Sequence, residues 1–148
     1  MFEGARQLLL GLGQSPEVLT QDGAGCSARF SAILTQFSIY TNVSAATPQG
    51  NVFCSGTPLG APVTFGDRPY FQRALSTRGF AISAYVVGRV SGRPNIAVAH
   101  PAVDQTGRVR AVVVAGIGLG WRLDVDTHLG RGTTFVVTMP AVPATSPT

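Results

Sequence analysis

The stretch "DRPYFQRALSTRGFAISAYVVGRVSGRP", residues 67–94, joins a helix signal to a strand signal within a few residues. Asp67 is the natural N-cap, Tyr70, Phe71, Ala74 and Leu75 recur at helical spacing, and Gly79 ends the helix. The strand "FAISAYVVGRV" (80–90) follows at once, and the turn "SGRP" sends the chain back as "NIAVAHPAV" (95–103). A second turn, "DQTG" (104–107), leads into "RVRAVVVAGIGL" (108–119). Strands joined by turns this short must run antiparallel. The run "AVVVAGIGL" is apolar throughout rather than alternating, so both faces of the sheet are expected to be covered.

Upstream of this core the chain reads as helical. "FEGARQLLLGLGQ" places apolar side chains at Leu8, Leu9, Leu10 and Leu12 and closes in glycines. Ser15 as N-cap, Pro16 at the first helical position and Glu17 in the first turn start another helix. A further helix is expected from Cys26 to Gln36, with Ala28, Ile33, Leu34 and Phe37 as its buried stripe. From Ser38 the pattern becomes extended, and "SIYTNVSAA", "TPQGN" and "NVFCS" read as strand, turn and strand. The order is helices, two strands, a helix and three strands. That is an α+β fold: an antiparallel sheet of about five strands, N-terminal helices on one face and a helix- or loop-capped pocket on the other.

Composition bounds the function. The 148 residues suit one domain with a real core, and 45% hydrophobic against 12% charged residues exclude a disordered chain. The net charge of +4 comes from arginines alone, scattered from Arg6 to Arg131 without a block or interleaved aromatics, which argues against nucleic-acid binding. No stretch reaches the ~18 apolar residues of a membrane span, and "LLLGLG" (8–13) lacks the length and basic start of a secretion signal. Cys26 and Cys54 are compatible with one disulfide or with two buried thiols.

"NVFCSGTP" (51–58), "GDRPYFQRAL" (66–75), "FAISAYVVGRVSGRP" (80–94) and "DQTGRVRAVVVAGIGL" (104–119) resemble the Cache domains. These are PAS-like sensor modules that lie outside the membrane in bacterial histidine kinases, diguanylate cyclases and chemoreceptors. "ARQLLLGLGQSPEV" (5–18) and the Cys26 helix are similar to the family's entry region, so the resemblance covers about residues 5 to 121. It implies a PAS-like fold with a small-molecule pocket, dimerisation through the N-terminal helices, an extracytoplasmic (periplasmic) setting, and a disulfide between Cys26 and Cys54. Membrane helices are expected only in segments that this sequence does not include.

After residue 122 the likeness changes. "VDTHLGRGTTFVVTMP" (125–140) resembles the last glycine box and closing strand of a histidine-kinase ATP-binding domain, with Gly130, Gly132, Thr133, Thr134 and Phe135 on the pattern. The asparagine-bearing helix, the adenine motif and the phosphoacceptor region are missing, so a glycine box alone has nothing with which to hold ATP. The expected division is a sensor domain at 1–122 and a kinase-like remnant at 123–148 with a fraying "PAVPATSPT" end.

No catalytic constellation accompanies these features. "GIGLG" (116–120) ends a strand with no helix after it, so its glycines read as packing rather than as a nucleotide loop. His100 and His128 have no Cys, His or Asp partner at metal spacing, and no serine sits in a nucleophile elbow. Neither enzyme activity, cofactor nor metal is expected. The candidate ligand-binding residues are Arg68, Tyr70, Ser83, Tyr85 and Arg89. Arg68 and Tyr70 stand at a helix start, where free N–H groups favour an anion. Ser83, Tyr85 and Arg89 alternate along the next strand and are expected on one of its faces. Arginine forks bind carboxylates bidentately, and tyrosines supply an apolar wall with a polar tip. In the amino-acid-binding members of the family an aspartate on the final strand holds the amino group, and the matching position here is Gly116, which points to a carboxylate ligand without a free amine. The alternatives are a structural or dimerisation module without ligand, or a kinase remnant without ATP binding.

Overall fold

The computed structural model describes residues 2–118. The chain opens with three helices, α1 (Phe2–Gly13), α2 (Pro16–Leu19) and α3 (Gly23–Gln36). A hairpin follows, β1 (Tyr40–Ala46) and β2 (Val52–Ser55), then α4 (Pro69–Thr77) and the meander β3 (Ala81–Val87), β4 (Pro94–Val103) and β5 (Val109–Gly118). The five strands form one antiparallel sheet in the order β2-β1-β5-β4-β3. The expected boundary at 122, the kinase-like segment with Gly130, Gly132, Thr133, Thr134 and Phe135, and His128 lie outside the described residues.

Each helix has a local cause. In α1 the buried residues Ala5, Leu9 and Leu12 fall at i, i+4 and i+7, a stripe facing the sheet. Pro16 opens α2 as expected, but the Ser15 hydroxyl donates to the Leu12 carbonyl at 2.8 Å instead of capping. Helix α3 begins earlier than the apolar pattern suggested. Asp22 is its N-cap, accepting from the Gly25 N–H at 3.2 Å. Its stripe is also different: Cys26 and Phe30 are fully buried, whereas Ala28 and Phe37 are exposed. Two positions along a helix is 200° of rotation, so Ala28 points away when Cys26 points in.

Helix α4 corrects the expected cap. Its N-cap is Arg68, Pro69 takes the first helical position, and Asp67 lies outside the helix. At the other end Arg78, not Gly79, takes the left-handed conformation at φ 53°, and its guanidinium donates to the Gly107 carbonyl. Tight turns close the hairpins. Gly50, Gly92 and Gly107 have φ of 100°, 70° and 86°, a region that costs glycine nothing. In the last turn the Asp104 carboxylate accepts from the Thr106 and Arg108 N–H groups at 2.9 and 3.1 Å.

The sheet divides the core in two. On one face Val43, Ala45, Val98, Val113, Ala115 and Ile117 pack against Leu9, Val18 and Phe30 of the first three helices. On the other, Ala46, Ala97, Ala99, Val112 and Val114 pack against Tyr70, Phe71 and Ala74 of α4. Cys26 of α3 and Cys54 of β2 are disulfide-bonded, tying the edge strand to the helical layer. Closing a loop with a sequence separation of 28 stabilises the fold by about 3–4 kcal/mol. Urea unfolding of the Cys26→Ser/Cys54→Ser variant is expected to show a loss of this size. Phe71→Ala, which empties a site 1% exposed, is expected to cost about 3–5 kcal/mol.

Candidate ligand pocket

Helix α4 is nine residues long and covers only part of its face of the sheet. Where it starts, the sheet floor lies open between α4 and the β3–β4 turn, and a cavity of about 30 Å³ remains there. Its floor is polar, with Asn42 and Ser44 of β1, Gly116 of β5 and Asn95 of β4. Register explains the grouping. Gly116 pairs with Asn42 on one side and with Ala97 on the other, so these side-chain positions share one face with Ser44 and Asn95. Tyr70 and Phe65 supply apolar walls, and Arg68 and Arg89 stand at the mouth. Among the described residues the lining holds two arginines and no acidic residue.

The two arginines tie the mouth shut in opposite directions. Arg68 reaches from the start of α4 to the Val87 carbonyl at 3.0 Å. Arg89 reaches back from the β3–β4 turn to the Thr64 carbonyl at 2.9 Å and grips Asp67 with both nitrogens, at 2.5 and 2.9 Å. The hydrogen bond from Arg89 is the main cause that holds the Asp67 carboxyl down at about 2. Burial pushes the Tyr70 hydroxyl up to about 12, so it remains a neutral phenol.

The floor is one hydrogen bond short. Asn42 is satisfied: its amide donates to Ser55 Oγ at 3.0 Å and accepts from the Thr57 N–H at 3.1 Å. Asn95 is 3% exposed and donates to Thr41 Oγ1 at 2.9 Å, but among the described residues its Oδ1 has no partner. A buried acceptor left unpaired costs about 1–3 kcal/mol. Gly116 makes room for this pair, since a Cβ there would stand 2.6 Å from Asn95 Nδ2 and closer still to Thr41 Oγ1. A larger groove of about 440 Å³ lies between α3 and β2, lined by Ser27, Ser31, Phe53 and Thr57 among others, but no charged residue faces it.

With this geometry in hand, comparison with known proteins gives the fold its context. No family model and no curated protein matches the chain. Solved structures do. The sensor domain of the V. cholerae histidine kinase DctB superposes with a TM-score of 0.68 at 15% identity, over 80% of this chain and 49% of that one. The ligand-binding domain of the Pseudomonas fluorescens chemoreceptor CtaA, in complex with L-serine, matches with a TM-score of 0.66 at 16% identity, over 83% of this chain and 53% of that one. The ligand-binding domain of the Pseudomonas aeruginosa amino-acid chemoreceptor PctC, in complex with GABA, matches with a TM-score of 0.61 at 17% identity, over 80% and 55%. The chain shares the fold of these domains. The chain spans about half the length of these solved structures, 49–55% of each.

Within that fold the residues singled out from sequence separate into two groups. Arg68, Tyr70 and Arg89 line one cavity. Ser83 and Tyr85 do not, and the expected shared face of Ser83, Tyr85 and Arg89 is corrected by the backbone. The β3–β4 register slips between Ile82 and Tyr85, so strict alternation fails at this bulge. Ser83 Oγ is occupied at the bulge, accepting from the Ala97 N–H at 2.8 Å and donating to the Ala84 carbonyl at 2.5 Å. Tyr85 is 56% exposed, and Val86 lines the cavity in its place. Arg89 lies past Val87, the end of β3, and reaches the mouth from a turn. Thr41, Asn42, Ser44 and Asn95 were not singled out, although polar residues inside buried strands are the signal that marks them.

The depressed carboxyl of Asp67 fixes a pH dependence. Its ion pair with Arg89 is fully formed above the ordinary carboxyl range and is lost as pH falls through about 2. Carboxyl-detected NMR titration is expected to place Asp67 near 2 in the native chain and to return it towards the ordinary 3.8 in Arg89→Gln.

Proposed function

We propose that this chain is the ligand-sensing part of an extracytoplasmic (periplasmic) receptor domain in a membrane signalling protein, a sensor histidine kinase in the first instance, and that it binds a small carboxylate. The observation that carries this reading is the pairing of Arg68 and Arg89 at the mouth of a cavity whose lining, among the described residues, contains no acid. A carboxylate can take over the two N–H groups that Arg89 now spends on Asp67, in the same bidentate geometry. The ligands in the CtaA and PctC structures, L-serine and GABA, both carry a carboxylate, which supports the same end of the molecule as the common handle. Both also carry an amine, and here no acidic side chain among the described residues lines the cavity to receive one.

The cavity of about 30 Å³ accommodates about two water molecules and no metabolite. Uptake therefore requires the Val87–Ser91 segment to move away from α4. A ligand that favours the opened or re-closed arrangement shifts the sheet relative to α1–α3, and only such a differential affinity can transmit a signal. Dimerisation through the N-terminal helices would place two copies of that motion side by side. The competing reading, a structural module that binds nothing, draws on the same small volume and on the existing pairing of both arginines.

A thermal-shift screen against small carboxylates, amino acids, purines and nucleotides separates the two. A carboxylate at ~100 times its Kd is expected to stabilise the domain by about 2.7 kcal/mol, a shift of a few degrees. Arg68→Ala and Arg89→Ala are each expected to abolish that shift. Silence across the whole panel would favour the structural reading instead.

A further inference from the structure

Building on the carboxylate reading, we propose that Asn95 is the specificity-determining residue at the floor of the pocket and that it reads a hydroxyl group, so that the ligand class is a small hydroxy-carboxylate. Three observations lead there. Among the described residues Asn95 Oδ1 is a buried acceptor without a partner, on a side chain 3% exposed that lines the cavity. A ligand donor placed there completes a hydrogen bond that the protein alone leaves open.

The second observation concerns Thr41. Its oxygen accepts from Asn95 Nδ2 at 2.9 Å, and among the described residues its hydroxyl hydrogen is committed to no acceptor. The floor thus presents one acceptor, Asn95 Oδ1, beside one donor, the Thr41 O–H. A hydroxyl is itself one donor and one acceptor, so it satisfies both at once. An ammonium group offers three donors and no acceptor, and it leaves the Thr41 hydrogen unanswered.

The third is electrostatic. Among the described residues no acid lines the cavity, and Asp67, the partner of Arg89, stands outside its lining. An ammonium group pressed onto a neutral amide, with two guanidinium groups at the mouth, would be a buried charge without a counter-ion. An uncharged hydroxyl meets no such cost. Glycine at 116 is part of the same design, because any side chain there would displace the Asn95–Thr41 pair. The arginines at the mouth take the carboxylate and the floor takes the hydroxyl.

Isothermal titration of the full chain with matched pairs tests this: lactate against propanoate, and malate against succinate. The hydroxy acid of a pair is expected to bind at least about tenfold more tightly than its deoxy partner, the contribution of one well-placed buried hydrogen bond. In Asn95→Leu, which retains the carboxylate-binding arginines, the ratio is expected to fall to about one. The comparison on the unsubstituted chain decides the matter even where the variant does not fold. Equal binding of the hydroxy and deoxy acids overturns the role of Asn95 and leaves the carboxylate reading standing. Binding of alanine in preference to lactate overturns the hydroxyl assignment in favour of an amine. Binding of none of these acids overturns both readings together.

Discussion

Strand β5 is buried on both of its faces, and that single constraint organises the molecule. It lies between β1 and β4 at the centre of the sheet, and Ala111 to Gly118 are all buried. A strand in this position cannot leave either side to water, so the chain must supply two covers. Helices α1–α3 cover one side completely. The other side is covered by α4, which at nine residues is too short to reach across. The uncovered remainder is the pocket, and its polar floor marks the region that apolar packing does not fill.

The two faces also differ in how firmly they are held. Over α1–α3 the contacts are apolar and reinforced by the Cys26–Cys54 bridge, which anchors the edge strand β2. Over the pocket the closing contacts are polar and partly exposed, running between the start of α4 and the β3–β4 turn. Surface ion pairs of this kind contribute little to stability. The apolar half is a scaffold, and on the proposed function the polar half holds the segments that would move for a ligand to enter, as ligand-binding segments tend to belong to the least stable part of a fold.

Much of the fold was legible because it rests on short-range signals. Tight turns at 91–94 and 104–107 dictated antiparallel pairing, and the unbroken apolar run of β5 revealed a strand covered twice. Local capping was read less well. Asp67 resembles an N-cap in sequence, yet Pro69 opens the helix behind Arg68, and the carboxylate serves a guanidinium far along the chain. The three site residues that do converge, Arg68, Tyr70 and Arg89, carry chemistry that stands out in an arginine-only sequence. Ser83 and Tyr85 were misplaced because alternation presumes an unbroken ladder, and one bulge reverses every face beyond it. The floor escaped notice for a different reason. Asn95 and Thr41 belong to separate strands 54 residues apart, and nothing local announces that they meet over a glycine.

The clasp of Arg89 on Asp67 has a kinetic corollary. On the carboxylate proposal, an incoming anion would not find a vacant cation; it would exchange with a carboxylate that is covalently tethered nearby and always ready to return. The tethered group acts at a high effective concentration, which shortens the residence of anything that replaces it. A receptor assembled this way would report rises and falls of its stimulus promptly, giving up tight capture in return for fast reset.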